Sequence, residues 1–306
     1  IGVVATTRHT KSDGQYQSQV AADDEPIEQR HGRRISPTSF IYSPRSTGNY
    51  PPSRDNQEMS NSTRPQRDPR LDQIFSDEPD TVGDACLELV PIVFDDPELE
   101  QHLIDLIQWT LDQGEGFDGG ELCCALILGE IRCATSTDTL LRCLQQEDEI
   151  LQRISTRSLQ RIGARSFDTI LERLEDPDIE GEVAALMIES LEGISLHDLP
   201  DSRDRIETQL RLDLTRPHLP NLRKEATAIA LAHLGVAEAT ELMEQVLRRD
   251  YPGGNAFILD ALEFLQENPE GLKGHAEDPI EQVVRWLEDE IVPGGDLDPA
   301  LWQDSL

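Results

Sequence analysis

The tetrad Leu128-Gly129-Glu130-Ile131 decides the fold, because it returns four more times in degraded form. Leu159-Gln160-Arg161-Ile162, Leu191-Glu192-Gly193-Ile194, Leu231-Ala232-His233-Leu234 and Leu262-Glu263-Phe264-Leu265 follow at intervals of 31, 32, 40 and 31 residues. Repetition at that period is the mark of one supersecondary unit used again and again. It predicts a stack of helical pairs rather than a single enzyme-like core.

The residues around each tetrad supply the helices. Ile150, Leu151, Ile154, Ser158, Leu159 and Ile162 share one stripe of an α-helix, which Gly163 ends as a left-handed cap. Phe167, Ile170, Leu171 and Leu174 form the stripe of a second helix, closed by Asp176-Pro177. The next units repeat the plan. Val183, Ala184, Met187, Ile188 and Leu191 precede Ile206, Leu210 and Leu214, and the longer loop Ser195–Asp204 accounts for the 40-residue interval. Ala226, Ile229, Ala230 and Leu234 precede Leu242, Met243, Val246 and Leu247. The fifth unit joins Ile258, Leu259, Leu262 and Leu265 to a last helix with Ile280, Val283, Val284, Leu287 and Ile291. Its acidic end, Glu288–Glu290, reads as a polar cap of the stack. No segment alternates with period 2, so no sheet is expected. One unit carries only nine large apolar side chains over 146–176, too few to offset the ordering of its chain, so neighbours must share faces.

Upstream, Asp96-Pro97-Glu98 reads as a helix start. Asp provides the cap oxygen, Pro needs no donor there, and Glu faces the positive end of the dipole. Pro91 predicts a short or kinked helix over Cys86–Phe94. Residues 1–70 are rich in Ser, Arg, Pro, Gln, Asn and Thr and lack an apolar period, the composition of a disordered tail. The boundaries expected are therefore a tail over 1–70, an irregular-to-helical cap over 71–119, the repeat array over 120–292 and a C-terminal tail over 293–306.

These residues resemble the HEAT repeat, and most closely the short bacterial form called the phycobilisome-lyase HEAT-like repeat. The likeness rests on Ala125 with Leu128-Gly129-Glu130-Ile131, Leu159 with Ile162-Gly163, Ala185 with Leu191 and Ile194, and Ala226, Ala230 and Leu231 with Leu234-Gly235. The stretched third interval and the missing glycine of the fifth unit depart from the family's pattern. The resemblance implies an all-α fold, a right-handed α-α superhelix of about five helical pairs. It further implies a concave row, formed by the second helix of each pair, that binds proteins. Polar positions on those second helices are Arg142, Gln145, Glu172, Arg173, Glu207, Gln209, Glu241, Glu244, Gln245, Glu281 and Arg285.

Charge narrows the partner. The chain carries a net charge of −33. Residues 1–70 hold 10 basic and 8 acidic side chains, and the remaining 236 hold 17 basic and 52 acidic, balances of +2 and −35. A body of that sign repels phosphate backbones and anionic lipid, so nucleic acid and membrane are excluded as partners and a basic protein is favoured. Acidic excess with three lysines against 24 arginines also fits a surface adapted to salt, and both readings predict that salt stabilises the fold. Neither a run of 18 apolar residues nor a signal-peptide core is present in the sequence given, so a cytoplasmic location is expected.

Catalytic signatures are missing. None of the seven histidines precedes a Glu, unlike the paired His-Glu ligands of HEAT-like deoxyhypusine hydroxylases. His102 and His233 read as packed or boundary residues. Phosphate-binding glycine loops and the nucleophile elbow are absent. The cysteines Cys86, Cys123, Cys124, Cys133 and Cys143 are odd in number and set among apolar residues, as buried reduced thiols are. The expectation is a scaffold or adaptor with no cofactor, metal or catalysis. The alternatives are a lyase-like or chaperone-like accessory protein acting on a bound protein, and an acidic inhibitor or immunity protein of a basic enzyme.

Overall fold

The computed structural model describes residues 64–291, except 77, 115, 198, 200–201 and 274–278. Of the tails expected over 1–70 and 293–306, residues 1–63 and 293–306 lie outside the described residues, as does Asp278 of the last helix start; residues 64–70 are described, with Arg64 donating to Glu121 at 2.8 Å and a 3-10 helix over Pro69–Phe75. Among the described residues there are helices and turns and no strand.

The helices alternate between two rows. One row holds α1 (Pro79–Phe94), α3 (Gly119–Glu130), α5 (Glu149–Ile162), α7 (Gly181–His197), α9 (Asn221–His233) and α11 (Ala256–Glu267). The other holds α2 (Pro97–Gln113), α4 (Thr137–Cys143), α6 (Ala164–Leu174), α8 (Arg203–Thr215) and α10 (Thr240–Asp250). Odd helices pack on odd ones from α1 through α11. A continuous apolar core, from Leu71 to Leu287, runs through the stack. This is the all-α repeat architecture that the periodicity predicts.

The pairing differs in phase from the sequence reading. Each even helix packs more closely on the odd helix that follows it than on the one before: α4 on α5, α6 on α7, α8 on α9. The hairpins are therefore α2–α3, α4–α5, α6–α7, α8–α9 and α10–α11. Odd helices also pack more closely with each other than even helices do. We call the more closely packed odd row the inner row and the even row the outer row.

Local chemistry explains the elements. Asp96 caps α2 by accepting from the Glu98 and Leu99 amides. Asp118 does the same for α3, accepting from Gly120 and Glu121, and Asn255 caps α11 through Ile258. Gly163 has φ 69° and ψ −135°, a positive φ as expected but outside the left-handed helical region. α1 runs for 16 residues, so of the short or kinked helix expected around Pro91 the short form does not hold. Pro91 falls in its last turn, where little helix remains to lose. The tetrad glycines serve close approach. A Cβ on Gly129 would meet the Ser158 backbone 2.6 Å away, and Ser158 Oγ donates to the Ala125 carbonyl at 2.9 Å.

The last helix, α12 (Ile280–Ile291), corrects the fifth unit. It does not pair with α11 in the manner of the earlier units. It packs on α1 and touches α3 at the opposite end of the array. After α11 the chain crosses the end of α9, where Leu272 N donates to the His233 carbonyl at 2.6 Å. Gly235 and Gly271 meet backbone to backbone at that crossing, each with positive φ and no room for a Cβ. Glu281 and Arg285 consequently lie on a returning strap rather than in a row with α10.

Candidate interaction surface

The inner face is assembled from one stripe of each odd helix. On α5 this stripe is Arg153, Arg157, Gln160 and Arg161, four side chains at helical spacing. On α3 it is Glu130, on α7 Glu189 and Glu192, on α9 His233 and on α11 Phe264. The apolar stripes of the same helices are buried in the core, so these polar neighbours rim it.

Charges are matched from helix to helix. Glu130 accepts from Arg157 at 2.6 Å and Arg161 at 2.7 Å, one through each carboxylate oxygen. Its side chain is only 6% exposed, so the pair of guanidinium groups is what makes its burial tolerable. Gln160 Nε2 donates to the Glu189 carbonyl at 3.1 Å, tying α5 to α7. His233 Nδ1 lies 2.7 Å from Glu192 Oε1 and sets its ring edge-on to Phe264, centroids 5.2 Å apart at 74°. Arg153 stacks over the Trp286 ring of α12 at 5.5 Å.

Two groups in this face have displaced protonation. Burial pushes the Glu189 carboxyl up to about 7, the Glu192 charge adding to the effect against the opposing influence of Arg153 and His233. Burial would lower the pKa of His233, but the hydrogen bond and charge of Glu192, with Glu189, outweigh it and raise the imidazole. His233 is thus held toward its cationic form, paired with Glu192, while Glu189 holds a proton near neutrality.

The residues named from the second helices fall on the even row instead. Arg142 pairs with Asp112 at 2.6 Å, Arg173 with Asp138 at 3.5 Å, and Glu207 with Arg211 at 3.0 Å. Arg205 adds a pair with Asp168 at 2.7 Å. Asp112–Arg142, Asp138–Arg173 and Asp168–Arg205 make a ladder joining α2, α4, α6 and α8. Gln145 and Glu172 are exposed. Glu241 accepts from Gln245 at 3.3 Å and Glu244 from Arg248 at 3.3 Å, both pairs at the surface of α10. Gln209 is a correction: it is buried, and Nε2 donates to Asp213 at 3.0 Å. These positions belong to the even helices, with Gln145 just past the end of α4.

Sequence reasoning did not name the α5 arginines, because it looked for partner-facing residues on the second helix of each pair. The signal was present in the i, i+4, i+8 arginines of α5. His233 was read as a packed or boundary residue, and its side chain is 13% exposed. The five cysteines are free and buried; burial raises Cys143 to about 12 and Cys133 above its usual value. Among the described residues no three His, Cys, Asp or Glu side chains converge as a metal set would, and no helix is long and apolar enough to cross a membrane. Comparison of the chain with protein-family models, curated proteins and solved structures yields no match.

Proposed function

We propose that this chain is a non-catalytic scaffold of the HEAT-like kind, which binds a protein along the inner row of its helical stack and whose overall acidity favours a basic one. One observation carries the reading: the odd helices present a continuous face whose polar groups, Glu130 with Arg157 and Arg161, Gln160 with the Glu189 backbone, and Glu192 with His233, are fixed from helix to helix by hydrogen bonds. Their fixed placement lowers the entropy lost on binding. The net charge of −33 favours encounter with a cationic surface. We read its compartment as a reducing, cytoplasmic one, in which five buried thiols persist.

Affinity purification from native lysate at low and moderate salt, read by mass spectrometry, tests this. The expected outcome is one basic protein in stoichiometric amount. Glu189→Lys with Glu192→Lys should lose it, and Glu241→Lys with Glu244→Lys on the outer row should keep it. Recovery of no protein at either salt, or equal loss with both variants, defeats the proposal.

A further inference from the structure

The seat of α12 is the unusual element of this molecule. Five hairpins account for α2 through α11. α12 follows a connection of twelve residues, 268–279, and packs where the chain's N-terminal helices begin. Its apolar stripe is that of a helix-in-groove ligand: Ile280, Val283, Val284 and Leu287 at i, i+3, i+4 and i+7. Val284 and Leu287 are each 2% exposed, whereas Glu281, Gln282 and Arg285 face solvent. Trp286 extends the contact to Arg153 of α5. The end of the stack that α12 leaves uncovered shows Leu259 of α11 51% exposed.

Charge sets this seat apart from an ordinary core contact. The segment 280–291 carries four acidic residues and one arginine, a net charge of −3, and it lies on a body already strongly acidic. Its apolar stripe holds it in place, and its net charge has the same sign as that of the chain it lies on. A helix with the same stripe and a basic polar face would keep the burial and exchange a like charge for an opposite one. The tether explains how the acidic helix keeps its place when nothing competes, because a short linker gives it an effective concentration in the millimolar range.

We propose that the groove on α1 and α3 filled by α12 is the docking site for a basic amphipathic helix of the protein partner, and that α12 is its exchangeable occupant. This rests on the scaffold reading and adds the form of the ligand. The partner helix sets four apolar side chains at i, i+3, i+4 and i+7 into the groove and brings lysines or arginines on its outer face. α12 leaves as that helix enters.

Two synthetic peptides test it on the full chain. One has the sequence of 279–292 with Lys at the positions of Glu281, Glu288, Asp289 and Glu290. The other is identical but has Asp at the position of Leu287. The first should bind, and amides of α12 should lose hydrogen-exchange protection while those of α3 and α5 keep theirs; the second should not bind. A chain carrying Leu287→Asp, which loosens α12, should take the first peptide at least tenfold more tightly than the wild type. If that variant fails to fold, the exchange measurement on the wild type decides alone. Equal binding of both peptides, or binding that leaves α12 protected, overturns the proposal. A peptide that displaces α12 while purification finds no partner would defeat the scaffold reading and leave the groove standing. A partner that binds without displacing α12 would defeat the groove alone.

Discussion

Arg223 is the residue on which the middle of the stack turns. It is fully buried on α9, where Nε donates to Asp213 Oδ2 of α8 at 2.7 Å and Nη1 to the Asp176 carbonyl at 2.8 Å. Nη2 donates to the Leu174 carbonyl, so one guanidinium satisfies three elements at once. Burial raises the Asp213 pKa despite Arg223 beside it, which shows how much the carboxylate depends on this partner. Arg223→Ala leaves buried Asp213 with only Gln209 and the more distant Arg216, and should cost about 3 kcal/mol. For a body of this size that is a fall in melting temperature of roughly 10 °C. Arg223→Met with Asp213→Leu removes both charges and should cost less than the single change. Thermal melts followed by circular dichroism decide, and a single variant as stable as the wild type would refute the clasp. Glycine offers a second test at this scale. Gly129→Ala forces a methyl into the Ser158 backbone and should cost about 1–3 kcal/mol. Gly253→Ala meets open space and should be close to neutral.

At the scale of elements, the inner face makes stability depend on pH. Glu189 holds its proton up to about 7 in the folded chain, against 4.5 as its ordinary value. The folded state therefore binds more protons than the unfolded one between those values, and stability falls as pH rises through them. His233, with a raised pKa, stabilises fully below its ordinary value of 6.5 and loses that contribution above its folded pKa. The two act in the same direction. Asp68 and Asp250, lowered to about 2 by hydrogen bonds from Arg70 and Arg249, change stability only below about pH 4. Melting temperature should thus decline from pH 5 to pH 8, and Glu189→Gln, neutral throughout, should flatten the decline by up to about 3 kcal/mol. An unchanged pH profile in that variant would refute the assignment.

The same elements show what the sequence could tell. Apolar spacing located the helices well, because burial of one stripe is a local property of each helix: Ile154, Leu159, Phe167 and Leu174 are all in the core. Asp96 as a cap was legible for the same reason. Hairpin phase was not, since α5 is followed by α6 after one glycine yet packs more closely on α4. Sequence adjacency records connection and carries no measure of area shared. Ties that cross between odd helices, such as Glu130 with Arg157 and Arg161, depend on that packing and were not legible for the same reason. The seat of α12 was illegible too, because an amphipathic stripe specifies an apolar surface without saying which one.

For the whole molecule, the decisive quantity is the charge of −33. Salt acts on it in two opposed ways. It weakens surface pairs such as Asp112–Arg142, Asp168–Arg205 and Arg248–Glu244, whose side chains are mostly two-fifths exposed or more. Each such pair is worth about 0.2–1 kcal/mol at best. It also screens repulsion among the excess carboxylates, a contribution that grows with the square of net charge and has no such ceiling. The Debye length shrinks from about 10 Å at 0.1 M to about 3 Å at 1 M, below the spacing of neighbouring helices. Screening of repulsion should therefore win, and melting temperature should rise with NaCl up to about 1 M. Neutralising outer-row acids, by Glu241→Gln with Glu244→Gln and Glu172→Gln, should raise stability at low salt and reduce the slope. A melting temperature that stays flat or falls over that range would mean that the acidic surface is already balanced by its own arginines. The charge-driven encounter with a basic partner would then lose its main support.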